Sequence, residues 1–285
     1  MTDAARTGKD RVLRGNAEAP EVCAERARRF GWWYFAEHYL RQLYRYGWPL
    51  TVSDIGQPLL YFLAMGVGLG TLVDGSAGTV EGVRYLTFIA PALLVAISTQ
   101  SCASELTYPV MSGFRWQRFY WGTAATPVAP WQIALGHALA VSLRLVFQAS
   151  VVIALMVIFG VPIRGTVLAL LLIGPAAALA FGLNLQAYAA TLDSEGAEFS
   201  LVQRFLIMPL FLLSGTFFPL SVLPTAAQWL GWLSPLWHGA ELARWAAYGK
   251  PLSGALLTAH AAYLLACLVI GVALVARNYR RRLRS

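Results

Sequence analysis

Four groups of residues in this chain have types and spacings that suit chemistry or recognition. His238 and Glu241, three apart, share a helical face and have the form of an acid/base pair. They would serve as a gate or headgroup contact at a membrane surface, or stand as a polar pair facing water. Arg144 and Gln148 lie one helical turn apart inside the apolar stretch 131–159. A charge at mid-membrane costs about 2.5–3.5 kcal/mol even on lenient insertion scales, so Arg144 must face a bundle interior or a wet cavity. There it would line a path for an anionic headgroup, pair with Glu105 or Asp54, or snorkel to the cytoplasmic surface. The third group, Phe114, Arg115, Trp116, Gln117, Arg118, Phe119 and Tyr120, interleaves aromatic and cationic residues over nearly two turns. A short helix here would display Phe114, Arg115, Arg118 and Phe119, either to a protein partner or to lipid headgroups. In the fourth, helical spacing puts Trp32, Phe35, Tyr39, Leu43 and Tyr46 on one face and Glu37, His38, Arg41, Gln42 and Arg45 on the other. Rings at headgroup depth with charges toward water describe a helix lying in the interface.

Motifs for self-contained catalysis are missing from the string. It contains no Gly-x-x-x-x-Gly-Lys-Ser/Thr loop to cradle a nucleotide, no His-Glu-x-x-His and no Gly-x-Ser-x-Gly elbow. Cys23, Cys102 and Cys267 lie far apart, one in a basic tail and two in apolar runs, so neither a disulfide nor a metal cluster is expected. The expectation is a chain with no catalytic residue, no metal and no cofactor of its own.

The elements that must position these residues follow from composition. Of 285 residues 58% are hydrophobic and 13% charged, half the charge of a soluble globular domain, which excludes an ordinary soluble enzyme. The first 30 residues are polar, so no cleavable signal peptide is expected. Six apolar segments, about 52–73, 85–104, 131–159, 166–191, 199–218 and 254–276, are each long enough to span a bilayer. The outer segment 217–254 carries Pro219, Pro224, Pro235 and Pro251 with four tryptophans, too apolar for a free loop and too broken for a span. Short re-entrant helices would satisfy its backbone. The expected fold is thus an all-α polytopic membrane protein: a basic tail (1–29), an interfacial amphipathic helix (30–48), a six-span domain (49–276) and a second basic tail (277–285).

Charge sets the expected orientation. Nine Lys/Arg precede Trp48 and five follow Ala276, so both tails belong in the cytoplasm and the crossings are even in number. Arg115, Arg118 and Arg204 then fall inside, while Arg84, Arg164, Arg244 and Lys250 fall outside. The net charge of +8 reads as orientation and anionic headgroups, not nucleic acid.

The loop after the second segment, with Thr107-Tyr-Pro-Val-Met-Ser, then Trp116-Gln-Arg-Phe-Tyr, then Ala125-Thr-Pro-Val, resembles the permease subunits of type-2 ABC exporters. It is most similar to the group of nodulation-factor lipo-oligosaccharide and antibiotic-resistance exporters. Leu213-Ser-Gly-Thr-Phe-Phe-Pro-Leu-Ser-Val-Leu-Pro224 and Leu233-Ser-Pro-Leu-Trp-His-Gly-Ala-Glu-Leu-Ala-Arg244 resemble that family's second signature, so the likeness covers about 30–282. The resemblance implies that Gly113 to Trp121 is a coupling helix docking into a separate nucleotide-binding ATPase subunit, which holds ATP and Mg. It further implies a second permease chain, identical or paralogous, residence in the cytoplasmic membrane, and an amphiphilic substrate: a glycolipid, a lipid-linked glycan or a hydrophobic drug. The N-terminal segment is more aromatic than the family's usual one. Two other classes stay open: a membrane-embedded lipid-modifying enzyme using His238 and Glu241, and a secondary transporter, for which internal repeats and acidic mid-span residues are missing.

Overall fold

The computed structural model describes residues 20–45, 47–76, 78–192 and 197–284. Most of the N-terminal tail, and Tyr46 of the interfacial face, lie outside the described residues. Within them the chain is helical, with one isolated bridge between Val80 and Val83 and no strand.

Helix α1 (Pro20–Arg45) begins before the expected interfacial helix and bends at Phe30, whose φ of −117° and ψ of 16° leave the helical region. The bend is captured by the third span: Gln132 donates from Nε2 to the Arg28 carbonyl at 2.9 Å and accepts from the Ala129 N–H. A carbonyl freed by a kink needs such a partner when buried. The first span runs from Gly47 to Ser76 as α2 (Gly47–Tyr61), a wide π-helical stretch over Phe62–Leu69, and α3 (Gly70–Ser76). The wide stretch coincides with the Gly66-Val-Gly-Leu-Gly70 run, where missing side chains leave the ladder easiest to distort.

Helix α4 (Tyr85–Glu105) is followed by two short helices, α5 (Tyr108–Arg115) and α6 (Phe119–Ala124), then by α7 (Pro130–Ile158). At 1.5 Å per residue α7 is about 43 Å long, more than the ~30 Å hydrocarbon core requires. A 3₁₀ turn (Gly165–Ala169) leads into α8 (Leu170–Ala189). Next come α9 (Ala197–Val202), a π turn and α10 (Met208–Leu213), one continuous helical stretch. The Pro-rich segment folds into α11 (Thr225–Trp232) and α12 (Pro235–Tyr248), and α13 (Gly254–Arg284) closes the chain. The basic C-terminal tail is therefore not a separate segment; through Arg284 it continues the last helix.

Among the described residues five helices are long and apolar enough to cross a membrane: Gly47–Ser76, Tyr85–Arg115, Pro130–Ile158, Gly165–Ala189 and Gly254–Arg284. The fifth apolar segment of the sequence is helical from Ala197 to Leu213 but ends at Ser214, short of the expected Phe218. The cause is local: Gly215 takes a φ of 70° and the backbone turns toward α11 and α12.

Helix α4 is the hub. Buried side chains make up 83% of its apolar window, against 17% for the first span and 22% for the last. Phe88, Leu93, Leu94 and Ile97 of α4 pack with Val152 and Met156 of α7, Ala177 of α8 and Ala243 of α12. A second cluster sits at the other end of the bundle, joining Phe35, Phe114, Tyr120, Ile133, Leu183 and Tyr279. Gly182 is required where α8 meets α4, because a Cβ there would lie 2.4 Å from the Cys102 sulfur.

Candidate functional site

The loop expected as one coupling helix is a helical hairpin. Tyr108-Pro109 starts α5, with proline in the first turn where its missing N–H costs nothing. The chain reverses at Arg118, a non-glycine residue in left-handed conformation (φ 52°, ψ 20°). Return of the second arm demands Gly113, since a Cβ there would lie 2.5 Å from the Tyr120 ring. The result corrects the expected display. Phe114 and Tyr120 turn inward, 3% and 0% exposed, and Phe119 is half-buried. Only Arg115, Trp116, Gln117 and Arg118 of the group stand exposed at the tip, with Trp121 beyond them. Aromatic area is too costly to leave in water when a groove between α1, α7 and α13 accepts it.

The inward rings make a platform. Phe114 lies 4.7 Å from Tyr120 and 4.9 Å from Tyr279, with the Arg282 guanidinium 4.6 Å over its other side. The Tyr120 hydroxyl meets His137 Nδ1 of α7 at 2.7 Å, and burial pushes this phenol well above its ordinary pKa, so it stays protonated. Trp121 Nε1 donates to the Phe114 carbonyl at 3.0 Å, tying the two arms. Phe35 of α1 stacks on Phe119 at 6.2 Å. The tip therefore rides on a base shared by α1, α7 and α13.

The interfacial face is divided. Phe35 and Tyr39 are buried against α7 and Leu43 is half-buried, while Trp32 is exposed. Gly136 allows the close approach, as a Cβ there would meet the Trp32 carbonyl at 2.5 Å. On the polar face Glu37 and Arg41 pair at 2.5 Å, and His38, Arg41 and Arg45 line a hollow of about 600 Å³ bounded by Gln117 of the hairpin.

Arg144 takes the ion-pair alternative, with both acids at once. Its Nε and Nη2 each donate to Asp54 of α2 at 2.8 Å, and Nη1 donates to Glu105 at the end of α4. Tyr39 of α1 donates to the other Glu105 oxygen at 2.9 Å. Gln148 donates to Ser101 at 3.1 Å and reaches Asp54 at 3.4 Å. Tyr39 joins this network without any sequence signal beyond its place on the aromatic face. A crevice of about 260 Å³ opens onto Asp54 and Arg144 between Leu43, Leu50 and Phe147.

His238 and Glu241 are both buried but do not form the expected pair. His238 Nδ1 meets His260 Nδ1 of α13 at 2.8 Å, its Nε2 donates to the Trp232 carbonyl at 2.9 Å, and its ring stacks on Tyr263. Glu241 is bound by Arg244 at 2.8 Å and Lys250 at 2.7 Å, and Lys250 also reaches Glu81 at 2.7 Å. Burial would raise the Glu241 carboxyl, but Arg244 and Lys250 overcome it and hold it below the ordinary carboxylate range. A carboxylate so held is a poor proton shuttle, and the acid/base reading has no geometry behind it. Arg244, assigned by charge counting to the outer side, is 1% exposed. Its guanidinium donates to the carbonyls of Phe88 and Gly215 and lies 3.8 Å over the Phe88 ring. Charge counting ignores partners, and these carbonyls are visible only in the fold. Among the described residues no group of three or more His, Cys, Asp or Glu could hold a metal.

The hairpin, the clasped spans and the outer helices fall in the part of the chain that comparison with known proteins recognises. The family model described as ABC-2 type transporter matches residues 34–248. Nodulation protein J of Rhizobium leguminosarum bv. viciae is 25% identical over 235 residues, covering 81% of this chain and 87% of its own length. Nodulation protein J of Rhizobium meliloti (strain 1021) is 26% identical over 201 residues, covering 70% of this chain and 75% of its own. With the family model extending over most of the chain, from within α1 to the end of α12, this protein belongs to the ABC-2 type transporter family.

Proposed function

We propose that this permease subunit of an ABC exporter carries an amphiphile outward across the cytoplasmic membrane, a lipo-oligosaccharide or other glycolipid first among the candidates, using ATP hydrolysed on a separate subunit. A second permease chain would complete the translocation unit. One observation carries the reading: Arg115, Trp116, Gln117 and Arg118 stand exposed on a tip whose base is locked by buried Phe114 and Tyr120. An exposed Arg/Trp tip on a rigid base suits docking into a partner's groove, since binding then orders little that was loose. The sequence offers no nucleotide-cradling loop, so the power must come from elsewhere. Closure of the ATPase pair would push the hairpin and, through its base, shift the spans between two arrangements.

Six crossings with both termini inside complete the proposal. Ala197–Leu213 would serve as the fifth crossing, and the outer helices α11 and α12 would cap the path. The test is co-purification. Tagged wild-type chain should bring down an ATPase bearing a phosphate loop, and Arg115→Glu/Arg118→Glu should lose it by more than tenfold with unchanged melting. Wild-type recovery of an ATPase by both forms alike would refute docking at this tip.

A further inference from the structure

Asp54 and Pro58 are the buried residues of α2, and most of the first span's apolar window is uncovered by the rest of the chain. Toward the cytoplasmic side of that span Asp54 makes its one ion pair to the bundle among the described residues, while nearer the middle Gln57 reaches Gln100 at 3.4 Å and Leu59 and Tyr61 pack on the core. The Asp54 carboxylate shares the Arg144 guanidinium with Glu105, the last residue of α4, which lies three positions before the hairpin begins at Tyr108. One cation thus stands between two anions, one on the weakly packed span and one at the root of the tip. Glu105 has a second anchor in the Tyr39 hydroxyl, whereas among the described residues Asp54 has only Gln148 at 3.4 Å besides Arg144.

We propose that Arg144 is a positioning residue that works as a clasp, fixed on Glu105 and releasable from Asp54, so that movement of the hairpin frees the first span. This rests on the exporter reading given above. A bare arginine in the bilayer is costly, but Arg144 keeps Glu105 when Asp54 departs, so release never strands the guanidinium. The freed Asp54 needs water, and the crevice of about 260 Å³ beside it, lined by Leu50, Thr51 and Phe147, is where water enters. Opening there presents a carboxylate and a half-satisfied guanidinium to the hydroxyls of a sugar headgroup. The hydrogen-bonding chemistry of the site thus fits a polyhydroxylated amphiphile better than a wholly apolar drug.

The experiment follows a cysteine at Thr51 in a chain carrying Cys23→Ser, reconstituted in nanodiscs with its co-purified ATPase. Reaction with a water-soluble maleimide reports whether the crevice is wet. In the otherwise unaltered complex ATP should accelerate labelling at least tenfold. Asp54→Asn should give the fast rate without nucleotide, while Glu105→Gln should give a rate that ATP no longer changes. Arg144→Lys, which retains charge but not the forked geometry, should also label fast without nucleotide. Labelling of Asp54→Asn at the slow rate would overturn the clasp. So would failure of both Asp54→Asn and Arg144→Lys to fold, because the pair would then be a folding requirement and not a releasable contact. Should no ATPase co-purify, or ATP leave wild-type labelling unchanged while Asp54→Asn still labels fast, the exporter reading fails and the releasable contact stands.

Discussion

Arg244 illustrates how one side chain can close an end of the bundle. Its guanidinium ties α12 to α4 through the Phe88 carbonyl and to the turn after α10 through the Gly215 carbonyl, with Glu241 balancing the charge. Breaking a buried pair typically costs about 3–5 kcal/mol. Here Glu241 would keep Lys250, which it shares with Glu81, so losing Arg244 should cost toward the lower end of that range. Arg244→Met should therefore lower the melting temperature of the purified chain by many degrees, and Arg244→Met/Glu241→Met should recover most of that loss. Equal melting of single and double variants would contradict a charge-balanced role. Acid probes the same region. His238 is held below its ordinary pKa chiefly by burial, opposed by the Trp232 carbonyl, so the unfolded chain binds its proton more tightly. Stability from His238 is thus full above its ordinary pKa near 6.5 and falls as pH drops through that value. Glu241 is also held low, so its contribution persists above the ordinary carboxylate range and drains as pH falls below it. Melting followed from pH 8 to 4 should decline in two stages, and His238→Gln should flatten the earlier one.

At the scale of elements, the helical hairpin shows what sequence reading recovered and what it missed. The residues of the tip were legible from the alternation of rings and arginines, because that composition suits a surface. Their arrangement was not, because whether Phe114 faces outward depends on a groove built by α1, α7 and α13, over a hundred residues away in part. Apolar length placed Tyr85–Glu105, Pro130–Ile158 and Gly165–Ala189 to within two residues, since bilayer thickness dictates it. The first long helix, however, starts five residues before the expected segment, and the last runs eight beyond its own. Apolar length overran the fifth, where the stop is a left-handed Gly215 and not a loss of hydrophobicity. Asp54 and Glu105 were legible as candidate partners for Arg144 because a buried cation must find an anion; the role of Tyr39 was not, as a phenol on an aromatic face looks apolar. The hairpin also makes its own prediction. Gly113→Ala would force the two arms apart at a 2.5 Å contact with the Tyr120 ring, which should cost about 1–3 kcal/mol as overpacking does. Arg118→Gly relieves a left-handed residue and should hold or raise stability while weakening ATPase recovery by the lost charge alone. A Gly113→Ala chain that melts like wild type would show that the arms do not meet as described.

For the whole molecule, orientation ties these parts into one device. If the tip faces the ATPase, the hairpin between the second and third spans must be cytoplasmic, and the α11–α12 cap must lie on the far side. The positive charge of the sequence agrees: with six crossings the charge rule would put the arginines of the tip on the same side as the basic residues before Trp48 and after Ala276. Ala197–Leu213 decides the parity. It crosses only if its modest helical length is completed at one end, which the buried Phe211 and Phe217 on the outer side favour by anchoring that end among α4 and the cap. Five crossings would place the two termini on opposite sides and send α13's run of arginines outward, against the charge rule. One added cysteine, at Trp116 or at Ser253, each in a chain carrying Cys23→Ser and Cys267→Ser and keeping only buried Cys102, separates the cases in intact cells. An impermeant maleimide should label Ser253→Cys from outside and reach Trp116→Cys only after the membrane is opened. A reporter fused after Ser285 should be active only in the cytoplasm. Outside labelling of Trp116→Cys would remove the docking site from the ATPase's reach, and an external C-terminus would turn Ala197–Leu213 from a crossing into a helix that enters and leaves on one side.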